Sequence, residues 1–352
     1  MVAAHPDDEF ILFFDRPFDP SFVFGKNVTP VVLYPPARHP LLFIAWFEWS
    51  ITRALTKYQA DIFLSLDNFL SLSTKTPTLL VVHDIAFTHF SENDKWVNRV
   101  YYKFFTPRFL KRADHICAVS EFTKGDILTQ FPFVEKNKIS VAYNGCRSIF
   151  HPLSILRQKE VKIKNTPVGT SEGSDYFLFV GAVHPRKNVH RLIEAFDLFK
   201  KQSKNAVKLV ICGRFAWQTG AVKSAFDKAT HQKDIIFKGY VSDEEVAQLT
   251  AAALAVTYVS LFEGFGVPLL EAMHSDTPVI TSNVSSMPEV AGEAALLVNP
   301  ESVEDIAQAM QRVYADADLR QKLIENGRIQ SLKFDWDVTA ALIYDQLKII
   351  CQ

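Results

Sequence analysis

The sequence predicts an α/β protein of two domains, each a parallel sheet with crossover helices. Three observations predict it. Buried-strand patterns alternate with helical patterns along the chain, as βαβ units require. A length of 352 residues is the soft expectation for two domains, since domains commonly run ~100–200 residues. A polar stretch bearing Gly and Ser, residues 153–175, separates two such runs and has the composition of a linker. The expected organisation is a first domain over residues 1–152, the linker, a second domain over 176–333, and a terminal helix over 334–352 that crosses back to the first domain.

Composition narrows the class further. An apolar content of 48% is ample for two cores, and a net charge of −1 gives no nucleic-acid signal. The cysteines Cys117, Cys146, Cys212 and Cys351 are scattered, with no C-x-x-C pair, so a reduced, cytoplasmic protein is expected. Cys117 and Cys212 sit among Ile, Ala, Val and Leu, which predicts core packing. The first ten residues are acidic rather than basic and then apolar, unlike a secretory signal. The apolar run Leu41 to Phe47 is stopped by Glu48, far short of the ~20 residues that span a bilayer.

Taken in order, the chain opens with Ala4-His5-Pro6-Asp7-Asp8-Glu9. This resembles the zinc-binding signature of the N-acetylglucosaminyl deacetylases. It lacks their preceding strand and any later His-x-x-His, so a solvated loop is expected, with a zinc deacetylase as a rival reading. Residues 10–14 and 28–33 read as strands. Residues 40–58 read as a helix, with Leu42, Ala45, Trp46, Trp49 and Leu55 near the 3.6 period. That helix is expected to face a core, its aromatics being the place where a membrane surface or lipid-linked acceptor would otherwise touch. Residues 61–65 and 78–82 are strands, and the second ends in His83-Asp84-Ile85. The C-terminal end of a strand is where open α/β sheets place ligands. A helix follows over 97–111, then a strand over 115–119, a helix capped by Ser120, and a strand over 139–142 before Asn144-Gly145.

The second half restarts with a strand over 176–181. A loop with adjacent Arg186 and Lys187 then leads into a helix over 189–201. Adjacent cations at a helix start oppose its dipole and call for an anion. An Arg grips phosphate bidentately while a Lys acts as a point charge. Strands follow over 206–212 and 235–237, the latter running into Gly239-Tyr240-Val241. Ser242-Asp243-Glu244-Glu245 has capping-box spacing. Residues 253–259 are a buried strand. After it comes Glu263-Gly264-Phe265-Gly266-Val267-Pro268-Leu269-Leu270-Glu271, a strand–loop–helix junction with Pro268 in the first helical turn. Glycines let backbone approach a ligand, and the helix start attracts an anion. Both glutamates are able to face one pocket. The competing reading is a tight turn with a glutamate that complements the helix dipole. Strands at 277–281 and 295–298, helices at 302–315 and 317–331, and a final amphipathic helix close the chain.

Together these stretches resemble the family four retaining glycosyltransferases of GT-B fold. The carriers are Gly181 to Asn188, Gly239 to Glu245, Glu263 to Met273, and Ser282 to Gly292, in the family's order and spacing. Val82 to Ile85, Val119 to Thr123 and Tyr143 to Gly145 match more weakly. The resemblance implies two Rossmann-like domains facing a cleft, the second holding a nucleotide sugar and the first presenting the acceptor. It implies that Arg186 and Lys187 neutralise the diphosphate and that Glu271 accepts from the ribose hydroxyls. Glu263 and the backbone N–H groups of Phe265 and Gly266 are then expected at the transferred sugar, with Gly181 and Gly264 lining the donor site. Gly239, Tyr240 and Val241 would lie against the base. His83 is expected near the donor sugar and Asp84 on the acceptor side. No metal or cofactor is expected. The His184-Pro185-Arg186-Lys187-Asn188 variant resembles mannosyltransferase members, so GDP-mannose is the expected donor, with a glycan or lipid-linked acceptor and peripheral membrane contact through the latter. The pattern begins roughly forty residues into a domain of ordinary size, so the family's first strand and Gly-rich loop are not found ahead of His5. The alternative expectation is therefore a nucleotide-sugar-binding protein with impaired transfer.

Overall fold

The computed structural model describes every residue except 38–39, 91–94, 166–172 and 215–219, and no side chains at 40 and 41. Its contacts divide the chain into two units, Met1–Tyr143 with Trp336–Gln352, and Asn144–Asp335.

In the first unit, β1 (Phe10–Phe14) and β2 (Val28–Val32) pair in parallel as a separate two-stranded sheet. The strands β3 (Phe63–Ser65), β4 (Thr78–Val82), β5 (His115–Ala118) and β6 (Ile139–Val141) form a parallel sheet in that order. All of β4 and β5 is buried, as continuous apolar runs in a covered parallel sheet should be. Leu80, Val82, Ile116 and Ala118 pack with Phe109, Leu110 and Ile127 from the helices Trp96–Arg112 and Glu121–Gln130. Ser120 caps the latter by accepting from Thr123 N at 2.9 Å.

The helix expected over 40–58 forms, but with a π-helical segment, Trp46–Ile51, between Pro40–Ala45 and Thr52–Lys57. A π turn is wider than an α turn and rotates the following face. Among its described side chains Phe47, Ile51, Ala54 and Leu55 are buried, while Trp49 is 67% exposed. The apolar stripe expected through Trp49 is thus displaced. The terminal helix Trp336–Cys351 belongs to the first unit, where Ile343 and Leu347 are buried and Thr339 Oγ1 donates to the Tyr143 carbonyl.

The second unit holds β7 (Tyr176–Val180), β8 (Lys208–Cys212), β9 (Ile235–Gly239), β10 (Ala255–Tyr258), β11 (Val279–Ser282) and β12 (Ala295–Val298). They form one parallel sheet in the order β12-β11-β10-β7-β8-β9. The order reverses at the β10–β7 pair. That is a topological switch point, where open α/β sheets leave a crevice at the strands' C-terminal ends.

Two boundaries differ from expectation. Within 153–175, Ile155–Asn165 is an α-helix with Val161 buried, not a linker throughout. Residues 144–152, expected in the first domain, belong to the second unit, because Phe150 is buried against Val246 and Ala247. Cys117 and Cys212 are buried, while Cys351 is exposed. Among the described residues no helix is long and apolar enough to cross a membrane.

Candidate functional site

The loops that leave the switch point are the place to build the site. After β7, Pro185–Lys187 makes one 3-10 turn and ends at Asn188, which is left-handed at φ 60°. Asn is among the few residues with a side chain that adopts this conformation readily. Its buried amide donates to Val259 O at 3.0 Å and Pro300 O at 2.7 Å, so it ties the β7 loop to the end of β10. Leu261 N donates to Arg186 O at 2.9 Å and closes the same seam.

This seam brings Arg186, Lys187 and Glu263 together. Lys187 Nζ lies 2.6 Å from Glu263 Oε1 and 2.5 Å from the Tyr258 hydroxyl. Arg186 Nη1 donates to Phe262 O at 3.0 Å and reaches Glu263 Oε2 at 3.4 Å. The Tyr258 hydroxyl donates to Glu263 Oε1 at 3.1 Å. Two cations face one carboxylate, leaving one net positive charge at the crevice.

Burial shapes the protonation of this cluster. It pushes the Glu263 carboxyl up, but the charges of Lys187 and Arg186 outweigh it and hold Glu263 below the usual carboxylate range. Burial pulls the Lys187 ammonium down, and Tyr258 and Glu263 together raise it above its ordinary value. The Tyr258 phenol is pushed up to about 12, by burial first and the Glu263 charge second. At neutral pH the cluster is therefore ammonium, guanidinium, carboxylate and neutral phenol.

The backbone around Glu263 is fixed as well. Glu263 N donates to Ser285 Oγ at 3.2 Å, and Ser286 Oγ donates to the carbonyls of Glu263 and Phe265, each at 2.9 Å. Phe265 is buried with its ring edge-on to Phe334 at 5.6 Å. Gly266 sits at φ 107° directly before the helix Val267–His274, and a Cβ there would lie 2.5 Å from Met287 Cε. The left-handed conformation is what demands glycine at that helix start, and an added Cβ would also have to displace the tip of the Met287 side chain. Gly181, at φ 148°, directly follows β7, and its carbonyl would lie 1.8 Å from a Cβ on Gly213, so the two loops touch through backbone.

Glu271 is held in a different network. It is 5% exposed, and its Oε1 accepts from Arg147 Nη2 at 2.9 Å. Arg147 Nη1 in turn lies 2.6 Å from Asp243 Oδ2. Burial raises the Glu271 carboxyl, Arg147 opposes that, and Asp243 adds to it, for a net rise above the ordinary value. Gly239 ends β9 at φ 68°, and Tyr240 beyond it is 75% exposed, with the Arg214 guanidinium 6.0 Å from its ring centre. Val241 packs beside Phe150. Ser242 caps the helix Asp243–Ala252 by accepting from Glu245 N at 3.2 Å.

His83 and Asp84 lie in the first unit, just past β4. The His83 ring pairs with Leu66 O at 2.7 Å, and Asp84 Oδ1 accepts from Ala86 N at 3.0 Å. The His5 ring stacks on Tyr344 at 3.4 Å, and Asp8 accepts from the Tyr344 hydroxyl. Among the described residues no group of three or more His, Cys, Asp or Glu side chains is placed to hold a metal.

Sequence reasoning missed Tyr258, Asp243 and Arg147 as members of these networks. In the sequence, Ser285 and Ser286 stand out only as part of the Ser282 to Gly292 stretch. Tyr258 reads as a strand aromatic, and Arg147 follows a turn, so neither carries a local signal. The order β10-β7 is what gives Tyr258 its partners, whereas Arg147 meets Asp243 and Glu271 where its segment packs, through Phe150, on Val246 and Ala247.

Comparison with known proteins adds the following. The profile of Glycosyltransferase Family 4 matches residues 7–147, and that of Glycosyl transferases group 1 matches residues 161–330. The chain is 31% identical over 228 residues to O-antigen chain mannosyltransferase B of Escherichia coli, covering 65% of this chain and 58% of that one. It is 30% identical over 275 residues to the O-antigen chain mannosyltransferase RfbU of Salmonella typhimurium, covering 78% and 71%. A solved glycosyltransferase from Rickettsia africae superposes with a TM-score of 0.75 at 18% identity, covering 99% of this chain and 92% of that one.

Proposed function

The chain belongs to the family 4 glycosyltransferases, with the GT-B class of fold, and on that premise we propose that it is a retaining hexosyltransferase of polysaccharide biosynthesis. It moves a hexose from a nucleotide sugar to a glycan or lipid-linked acceptor. Mannose is the sugar the motif variant and the mannosyltransferase relatives support, and GDP-mannose the donor. The matched relatives are named as transferases, which favours transfer over binding alone.

The observation that carries this reading is the Arg186–Lys187–Glu263 cluster at the switch point. Transfer breaks the bond between the anomeric carbon and the diphosphate, and negative charge grows on the departing phosphate oxygen. Arg186 and Lys187 supply fixed positive charge there at no cost of reorganisation, and the start of the helix Val267–His274 adds partial charge. Glu263 holds both cations in place and offers its carboxylate and loop backbone to the hexose. Glu271 binds the ribose, and Gly239, Tyr240 and Val241 cover the base. His83 and Asp84 serve the sugar and acceptor side. This constellation needs no metal, since the cations occupy the charge-neutralising role. A lipid-linked acceptor would bring the protein to the cytoplasmic membrane face as a peripheral partner.

The test is a panel of nucleotide sugars offered with glycan and lipid-linked acceptors, reading nucleoside diphosphate released and glycan extended. Mannosyl transfer from GDP-mannose with retained anomeric configuration is expected. Inverted product, or no turnover with any donor and acceptor, overturns the reading.

A further inference from the structure

The segment after β6 brings an arginine to the donor side of the second unit. Arg147 reaches two elements at once. Its Nη1 lies 2.6 Å from Asp243 Oδ2, at the start of the helix that follows the Gly239–Val241 loop. Its Nη2 lies 2.9 Å from Glu271 Oε1, in the helix that follows the Glu263 loop. The stem is anchored, because Phe150 is 3% exposed against Val246 and Ala247, with Cys146 packed on the same cluster. The guanidinium lies 5.1 Å from the centre of the Phe150 ring.

The two ends of this bridge are not equivalent. The Asp243 end is open to solvent, where a pair adds little. The Glu271 end is buried, and a buried carboxylate is costly unless a cation stays beside it. Asp243 is a like charge near it, so removing Arg147 leaves two acidic groups without the cation they share. Among the described residues the ion pair uses Glu271 Oε1, and no hydrogen bond reaches Oε2. A planar fork with two outer nitrogens suits this task, whereas an ammonium serves one partner at a time.

We propose that Arg147 is a positioning residue of the donor site. It holds Glu271 through Oε1, with Oε2 aimed to accept from the ribose hydroxyls, and ties that carboxylate to the loop that covers the base. This rests on the ribose role given to Glu271 above.

The test measures binding of GDP and UDP by titration calorimetry to the full chain and its Arg147→Ala, Arg147→Lys, Glu271→Ala and doubly substituted forms. Arg147→Ala is expected to weaken the better nucleotide on the order of tenfold, as loss of charge-assisted hydrogen bonding should. Arg147→Lys is expected to fall between it and the parent. In the Glu271→Ala background the same Arg147→Ala change is expected to add less than about twofold, because positioning residues act through the group they hold. 2′-Deoxy and 3′-deoxy nucleotides should lose less affinity to Arg147→Ala than the ribonucleotide does. An equal loss in both backgrounds would mean a general effect on the fold and overturn the proposal. Tighter binding by Arg147→Ala would make the pair a lock rather than a support and overturn it too. Parent-like binding by Arg147→Ala with a loss in Glu271→Ala sinks the proposal alone. Parent-like binding by Glu271→Ala sinks the ribose role and the proposal with it.

Discussion

Glu263 is a buried carboxylate with a lysine, an arginine and a phenol on its two oxygens, so each partner's charge depends on the others. Replacing it by Gln keeps the shape and removes the charge. Arg186 and Lys187 would then face each other across a neutral amide. Breaking a buried pair from one side costs ~3–5 kcal/mol, so Glu263→Gln should lower the urea midpoint clearly and cut kcat/KM by on the order of a hundredfold. Unchanged stability would mean that the cations simply rehydrate. The pH dependence follows from the two directions of shift. Glu263 is lowered from 4.5, so its contribution to stability is present above that value and is lost as pH falls through its folded value. Lys187 is raised from 10.5, so its contribution is complete below that value and is lost as pH rises through its folded value. The cluster's contribution is therefore level across the neutral range. In Lys187→Met the nearer cation is gone and burial dominates at Glu263. The acid edge of nucleotide affinity should then move to higher pH, which a series of titrations between acid and neutral pH would reveal. An unmoved edge would assign that titration to another group.

At the scale of elements, two junctions carry the site, and each makes its own demand on sequence. At Gly266, the left-handed backbone disfavours any side chain, and an added Cβ would push on the tip of Met287. Gly266→Ala should cost ~1–3 kcal/mol of stability and raise the donor KM, because the start of Val267–His274 must shift. At Asn188, backbone and amide can be separated. Asn188→Gly keeps the left-handed turn and loses the bonds to Val259 and Pro300, whereas Asn188→Ala loses both. The expected penalties are ~1–3 kcal/mol for the stranded carbonyls and a further ~1–2 kcal/mol for alanine. Equal penalties would mean that the turn itself is unstrained. These junctions were legible in the sequence, since Gly, Pro and Asn sit where strand patterns give way to helix patterns. The charged residues on them were legible too. What joins them was not. Lys187 and Glu263 lie 76 positions apart and meet only because β10 lies beside β7. Arg147 and Glu271 lie 124 positions apart, and nothing near Asn144-Gly145 names Glu271 as a partner. Local pattern gives elements, whereas pairing across a sheet is set by strand order. The π turn at Trp46–Ile51 was illegible for another reason: a one-residue excess in a helix leaves the apolar count unchanged and only rotates it.

For the whole molecule, the chain's last helix is what makes its sequence order differ from its structural division. Trp336–Cys351 returns to the first unit, burying Ile343 and Leu347 there. Its Thr339 holds the Tyr143 carbonyl, and its Tyr344 stacks on His5 and donates to Asp8. The proposed donor residues Arg186, Lys187, Glu263 and Glu271 all belong to the other unit. Stability of the first unit and donor binding by the second should therefore respond to different changes. Ile343→Ala opens a cavity in the first unit and should cost ~2–5 kcal/mol there. A nucleoside diphosphate at about 100 times its Kd should add ~2.7 kcal/mol to the unit that binds it. Calorimetry of parent and Ile343→Ala, each with and without nucleotide, separates the two. The substitution is expected to lower one transition and leave the nucleotide-dependent rise of the other intact, with Kd unchanged. If Ile343→Ala weakened nucleotide binding as much as it destabilised the fold, the two units would be energetically one, and the terminal helix would have to be counted among the determinants of the donor site.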